Sequence, residues 1–314
     1  MEIQATNKDG DRKSRTYSFL QHDTCNMCGA AASDSKNMGL RLDTSQGRRP
    51  RSKRGIAVSI SKCNKCDLIY ANPQPIPESI DDHYGLPPEA YWNSVSFEPV
   101  PGYIERELKV VKDLLGFEAG MKSIDIGLGL GKSASVMRKH GFDVSGIEPS
   151  EPFYNKAIEL LGNEGNQFQH SSIEDAEFDE NEYDFITFGA VLEHLYDPNE
   201  AIDRALKWLK PGGVIHAEIP NSRHFVTKIL NTYFRMVGTS FVTNTSPMHV
   251  PYHLYEFSLD SFHLNGKNLG YEVAHHWVDV ATIYNIPGFL HKPLRWWMER
   301  TNTGMQLCVF LRKV

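Results

Sequence analysis

An α/β fold with a mostly parallel, doubly wound sheet, preceded by a small metal-binding module, is what the sequence predicts. Three observations carry this. From Lys122 onward, short apolar runs alternate with amphipathic helical stretches. A glycine-rich segment, Gly127-Leu128-Gly129-Leu130-Gly131, separates the first run from the first helix. Four of the five cysteines stand in two identical pairs, Cys25-x-x-Cys28 and Cys63-x-x-Cys66. At 314 residues the chain has room for one large domain and an appendage.

Residues 1–20 begin polar and charged and read as a flexible arm. The cysteine module spans 21–75. Two cysteines separated by two residues sit at the ends of one tight turn, so both sulfurs can face a single ion, and two such turns complete a tetrahedral thiolate cage, with zinc as the expected occupant. Gly29 supplies the positive φ that the first turn needs. The 34 residues between the pairs leave room for a hairpin. Within them, Arg48-Arg49-Pro50-Arg51-Ser52-Lys53-Arg54 holds five cations, which read as a solvated loop tip, with an RNA-holding role as the alternative. Cys308, inside Leu307-Cys308-Val309-Phe310-Leu311, reads as a buried strand cysteine.

Asn72-Pro73-Gln74-Pro75-Ile76-Pro77 cannot be helical and marks the boundary before a domain over 76–314. Apolar residues at 104, 108, 111, 114 and 115 predict a helix that closes at Gly116. Strands are then expected at 123–126, 142–148, 167–170, 183–188 and 214–219. Helices are expected at 132–140, after Ser150, from Asp197-Pro198 with Ile202, Ala205, Leu206 and Leu209 on one face and ending at Lys210-Pro211-Gly212-Gly213, and near Ser258. The 33 basic and 39 acidic side chains give a net charge of −6, which disfavours broad nucleic-acid binding. With no apolar run of roughly 18 residues and no apolar signal region, a soluble cytoplasmic protein is expected.

The glycine loop lies where a ligand can approach bare amides at a helix N-terminus. Glu148 follows Gly127 by 21 residues and stands at the end of the second strand, where a carboxylate can take both hydroxyls of a ribose. The G-x-G-x-G spacing is more compact than a dinucleotide site requires, and suits an adenosine ligand without phosphate.

On these residues the chain resembles the class I S-adenosylmethionine-dependent methyltransferases. The similarity is carried by the segments 123–131, 146–150, Val191-Leu192-Glu193-His194-Leu195-Tyr196-Asp197-Pro198 and 209–213 before Ile219-Pro220-Asn221. The segment 66–75 with Asp82-His83-Tyr84 is similar to the branch in which two cysteine knuckles precede the catalytic domain, a branch often associated with carbohydrate, cell-surface polysaccharide or natural-product modification. The resemblance implies a Rossmann-like, seven-stranded sheet and S-adenosyl-L-methionine as cofactor. It also implies site roles: Asp125 orients the cofactor's amino-acid end, Gly127, Gly129, Gly131 and Gly189 line its path, Glu148 with Pro149 holds the ribose, Ser172 and Ile173 border the adenine, and Tyr84, with Tyr91, lies in a covering segment. Ser172 departs from the aspartate common among relatives. Leu128 and Leu130 replace a cysteine and a small hydroxyl residue.

Methyl transfer to a hydroxyl needs a base, for which His253 and His194 are the candidates, with Glu193 beside them. Some quinone-pathway methyltransferases resemble the Glu193-His194 segment and bind a divalent ion with a further glutamate, but that position is Ala190 here. The acceptor expected is a small polar molecule, a sugar or natural-product intermediate. RNA and a catalytically silent binding role are the alternatives. The aromatic and cationic stretch 289–298 reads as a lid or packing segment, with membrane contact as a lesser alternative.

Overall fold

The computed structural model describes residues 2–4, 14–44, 55–78, 99–162, 167–280 and 288–314. The basic stretch 48–54 and both Tyr84 and Tyr91 lie outside the described residues. Strands β1 (Glu2–Gln4), β2 (Ser14–Leu20) and β6 (Gln74–Pro77) form an antiparallel three-stranded sheet in the order β1-β2-β6. Residues 14–20 are therefore not the loose arm expected of them. Tyr17 is buried among Val58, Ile60, Ile69 and Ala71, and burial of that ring anchors the strand. Pro75 and Pro77 sit on an edge strand, where a missing donor costs least.

The expected hairpin between the knuckles is formed by β3 (Lys36–Leu42) and β4 (Ala57–Lys62), with β5 (Ile69–Ala71) beside β4. A two-residue strand from much later in the chain, Tyr255–Glu256, completes this sheet by pairing with β5.

The main sheet is built from β7 (Lys122–Ile126), β8 (Asp143–Ile147), β9 (Phe168–Gln169), β10 (Tyr183–Gly189), β11 (Leu209–Pro220), β13 (Tyr271–Asp279) and β14 (Gln306–Lys313), with β12 the Tyr255–Glu256 strand. Its order is β13-β14-β11-β10-β7-β8-β9. The pairs β8·β9, β7·β8, β7·β10 and β10·β11 are parallel, while β14 runs antiparallel to both its neighbours. Helices α1 (Glu105–Leu115), α2 (Lys132–Lys139), α3 (Glu151–Leu161), α4 (Pro198–Trp208), α5 (Phe225–Met236), α6 (Leu259–Leu269) and α7 (His291–Arg300) connect and cover it.

One boundary differs from expectation. Helix α4 stops at Trp208, and Leu209 with Lys210-Pro211-Gly212-Gly213 already belongs to β11. Pro211 forces Lys210 out of the helical region, and Leu209 is extended at φ −71°, ψ 142°. The β10·β11 register jumps from Tyr183↔Leu209 to Phe185↔Val214, so the extra residues bulge. The period-2 alternation of the strands divides the core in two. Ile124, Ile186, Ile215 and Val309 face α4, α6 and the cysteine module, whereas Phe185, Val214, Cys308 and Phe310 face α1, α2 and α3.

Candidate active site

Asp125 is the penultimate residue of β7, and the three glycines turn the chain into α2 at φ +75°, +53° and +76°. Their roles differ. A Cβ on Gly127 would stand 2.7 Å from Val191 Cγ2 and one on Gly131 2.8 Å from Leu161 Cδ1, while a Cβ on Gly129 would meet nothing within 4 Å. All three sit at positive φ, which favours glycine; a Cβ at Gly127 or Gly131 would also crowd a side-chain methyl, whereas Gly129 presents open backbone. Leu128 and Leu130 turn inward and are buried. Gly146, on β8, lets Leu128 do so, since a Cβ there would approach Leu128 Cδ2 to 2.7 Å and the Asp125 carbonyl oxygen to 2.8 Å.

Glu148 accepts from Gly129 N–H at 2.8 Å and from Ser150 N–H at 2.9 Å, and burial pushes its carboxyl up to about 7. Asp125, 2% exposed, is pushed up to about 8 by burial, with the Ala134 amide pulling the other way and the Glu148 charge adding to the rise. Its Oδ2 has no hydrogen-bond partner among the described residues. Two buried carboxyls beside an open loop are costly in isolation and suit a ligand bearing positive charge and donor groups. The carbonyl of Pro149 meets His170 Nε2 at 3.0 Å. Ser172 and Ile173 follow β9; the Ser172 hydroxyl donates to Asp175 at 3.1 Å, and Ile173 is buried. Gly189 is exposed at the carboxyl end of β10.

Three side chains expected to share the chemistry do come together. Nε2 of His194 and Nε2 of His253 each lie 3.9 Å from Glu193 Oε1, and the two imidazoles meet edge to face at 4.9 Å between ring centroids. Burial pushes Glu193 up to about 8 and His253 down to about 4, so both favour their neutral forms. Glu193 Oε2 has no partner among the described residues. Nδ1–H of His194 can donate to the Tyr252 carbonyl at 3.3 Å. One carboxylate oxygen and two imidazole nitrogens within 4.8 Å of one another can pass a proton or hold a cation.

The four cysteine sulfurs also converge, all buried and within 4.8 Å of one another, with Sγ–Sγ distances of 3.5 Å for Cys25 and Cys66 and 3.6 Å for Cys28 and Cys63. The donor set fits a tetrahedral zinc ion. The two knuckles are alike: Gly29 N–H bonds Cys25 O and Asp67 N–H bonds Cys63 O, at φ +68° and +61°. Asp67 takes the glycine-like conformation while its carboxylate is held by Lys62 and Arg223 at 2.8 Å. The hydroxyls of Ser258 and Ser261 donate to Cys66 O at 2.7 and 2.9 Å, and Asn265 donates to Met27 O at 3.0 Å, so α6 grips both knuckles. Beside the cage, β5 pairs with β12, and the Leu254 amide next to His253 donates to Glu193 O at 2.7 Å. The cysteine module is thereby one wall supporting His253.

Sequence reasoning missed Glu218, near the carboxyl end of β11, whose carboxyl is raised by burial and by the charges of Glu107 and Asp279. The signal was present as the one acidic residue in the apolar run 214–219. Tyr103, which bonds Ser133 at 3.4 Å, was also missed; burial raises its phenol, with Asp125 and Glu218 nearby.

Comparison with known proteins shows that the family described as "Methyltransferase domain" matches residues 102–276, more than half of the chain. Phosphoethanolamine N-methyltransferase 2 of Caenorhabditis elegans is 33% identical over 119 residues, covering 37% of this chain and 27% of that protein. Ubiquinone biosynthesis O-methyltransferase of Bordetella avium (strain 197N) is 26% identical over 164 residues, covering 50% of this chain and 65% of that protein. The chain thus spans less than two thirds of the length of either relative. A solved S-adenosylmethionine-dependent methyltransferase from Mesorhizobium loti superimposes with a TM-score of 0.47 at 15% identity, covering 66% of this chain and 97% of that one.

Proposed function

Because this chain belongs to the methyltransferase-domain family, we propose that it transfers a methyl group from S-adenosyl-L-methionine to a hydroxyl of a small polar acceptor, a sugar or natural-product intermediate. The observation that supports this most is the pair of buried carboxyls, Asp125 and Glu148, around the open face of Gly129. Asp125 receives the cationic amino-acid end, and Glu148 the ribose hydroxyls, with Ser172 and Ile173 at the adenine and Gly189 at the opening. The cofactor, when bound, supplies an already activated methyl. The protein's work is alignment, exclusion of water and proton removal.

His253 is the base. Burial keeps its imidazole neutral near pH 7, ready to take the acceptor's proton as the oxygen–methyl bond forms. The Glu193 carboxyl oxygen, 3.9 Å away, faces the imidazolium that forms. His194 orients the Tyr252–His253 segment through the Tyr252 carbonyl. A structural zinc on Cys25, Cys28, Cys63 and Cys66 holds the module that braces this loop. The test is transfer of a labelled methyl from the cofactor to small-molecule fractions of a cell extract. Label should reach a small polar product with the wild type and not with His253→Ala; label in RNA, or in nothing, would remove the assignment.

A further inference from the structure

Two helices outside the active-site cluster show the same unusual surface. On α5, Ile229, Leu230, Tyr233 and Met236 are exposed, the last at 75%. On α7 and the turn leading into it, Phe289, Leu290, Trp296 and Trp297 are exposed, Phe289 at 79% and Trp296 at 57%, with Pro293 exposed between them. On α5 the spacing i, i+1, i+4, i+7 puts the set on one helical stripe, and on α7 Pro293, Trp296 and Trp297 share a face that Phe289 and Leu290 precede in a single 3-10 turn. A water-facing helix normally shows the reverse. The two helices adjoin. Phe225 meets Trp297 edge to face at 4.7 Å, and Phe225, Val226 and Leu294 pack on Val280 and Met298, so the first turn of α5 rests on α7.

Charge is distributed to match. Lys228, Arg235, Lys292, Arg295 and Arg300 lie on these two helices against a single acid, Glu299, whereas the chain as a whole carries −6. Arg300 lies over the Trp296 ring at 4.7 Å. Lys228 and Arg235 lie on one side of the α5 stripe, and Lys292 stands exposed beside the α7 aromatics, while the Arg295 guanidinium donates to the Val280 carbonyl. Indole rings, aliphatic side chains and flanking lysine and arginine are the chemistry of a helix lying in the headgroup zone of an anionic bilayer. Among the described residues no helix is long and apolar enough to cross a membrane, so this face would rest on a bilayer without spanning it.

We propose that α5 and α7 form a membrane-surface docking face whose partner is an anionic lipid bilayer. The face begins five residues after β11 ends, at the edge of the sheet where the active-site side chains gather. Docking there sets the catalytic domain beside acceptors that sit in or near the headgroup layer. The inference stands independently of the acceptor and of methyl transfer itself.

The experiment is co-sedimentation of the full chain with two kinds of vesicle, phosphatidylcholine alone and phosphatidylcholine with one quarter phosphatidylglycerol. Binding is expected to the anionic vesicles only, and to fall as salt rises. The apolar variant Phe289→Ser/Trp296→Ser and the charge variant Lys228→Gln/Lys292→Gln should each weaken it at least tenfold. All four side chains are exposed, and unchanged cofactor affinity and thermal midpoint confirm that each variant is folded. No sedimentation with anionic vesicles, equal sedimentation with both kinds, or full binding by the apolar variant overturns the proposal. So does a concentration-dependent dimer that disappears in Phe289→Ser/Trp296→Ser, which assigns the face to a second copy of the chain.

Discussion

Replacing Asp125 by asparagine should stabilise the free protein and damage its cofactor site together. Burial raises the Asp125 carboxyl from 3.8 to about 8, so the folded chain favours its protonated form. A carboxyl raised on folding contributes stability that is complete below its unfolded value and lost as pH climbs through its folded value. The window here runs from about pH 4 to about pH 8. At 1.36 kcal/mol per pH unit the full loss has a ceiling of about 6 kcal/mol, and relaxation or water entry will lower it. The asparagine side chain would keep the acceptor for the Ala134 amide but has no charge to desolvate. Urea unfolding of the cofactor-free proteins at pH 5, 6.5 and 8 should show the variant ahead by an amount that grows with pH, reaching at least about 2 kcal/mol at pH 8. Glu193 leaves a shared slope that the difference removes, whereas the Glu148 charge adds to the Asp125 rise, so the difference reports Asp125 together with its coupling to Glu148. Calorimetric titration of the wild type in buffers of different ionisation enthalpy should reveal proton release when the cofactor binds, because a cation beside Asp125 lowers its pKa. The variant should release fewer protons and bind at least tenfold more weakly. A pH-independent stability difference, or cofactor binding by the variant with unchanged affinity, would refute the reasoning.

Three further outcomes follow from the same geometry. His253→Ala should lower turnover roughly a hundredfold or more with cofactor affinity unchanged, as steady-state kinetics and calorimetry will show; near-normal turnover removes the base assignment. Chelation of the metal should release about one zinc per chain and lower the thermal midpoint, because the cage is gripped by α6 and supports β12; protein purified without zinc and unaffected by chelator contradicts this. Gly146→Ala, whose Cβ would meet Leu128 Cδ2 at 2.7 Å and Asp125 O at 2.8 Å, should cost about 1–3 kcal/mol in denaturant unfolding, and a neutral effect would show that the loop has slack.

The parts legible in the sequence were those whose signals are local. Alternation at Ile124, Ile126, Ile186 and Phe188 named the strands, the loop glycines named the turn, and the repeated cysteine spacing named the cage. The start of β11 was misplaced because Lys210-Pro211-Gly212-Gly213 ends a helix and bulges a strand with the same residues, and only pairing with Tyr183 distinguishes the two. The strand at 14–20 depends on a partner more than fifty residues away at 74–77, which no local pattern reports. The same holds for the Glu193–His194–His253 cluster. Glu193 and His194 were readable as a motif, but the approach of His253 depends on β12 joining β5 and on the Leu254 amide reaching Glu193. Asp67 in a glycine-like conformation was hidden because the ion pairs to Lys62 and Arg223 that hold it are tertiary.

The central claim is that the Asp125–Gly129–Glu148 corner is a cofactor site. Calorimetric titration of the demethylated cofactor, S-adenosylhomocysteine, into the wild type and into Gly129→Arg tests it most directly. Gly129 has open space at its Cβ position; its φ of +53° strains any replacement, but the substituted side chain can occupy the ligand's approach without displacing a packed neighbour. One site per chain in the wild type and none in a variant that remains folded is the result predicted. No binding by the wild type, or the same affinity in both proteins, would contradict it.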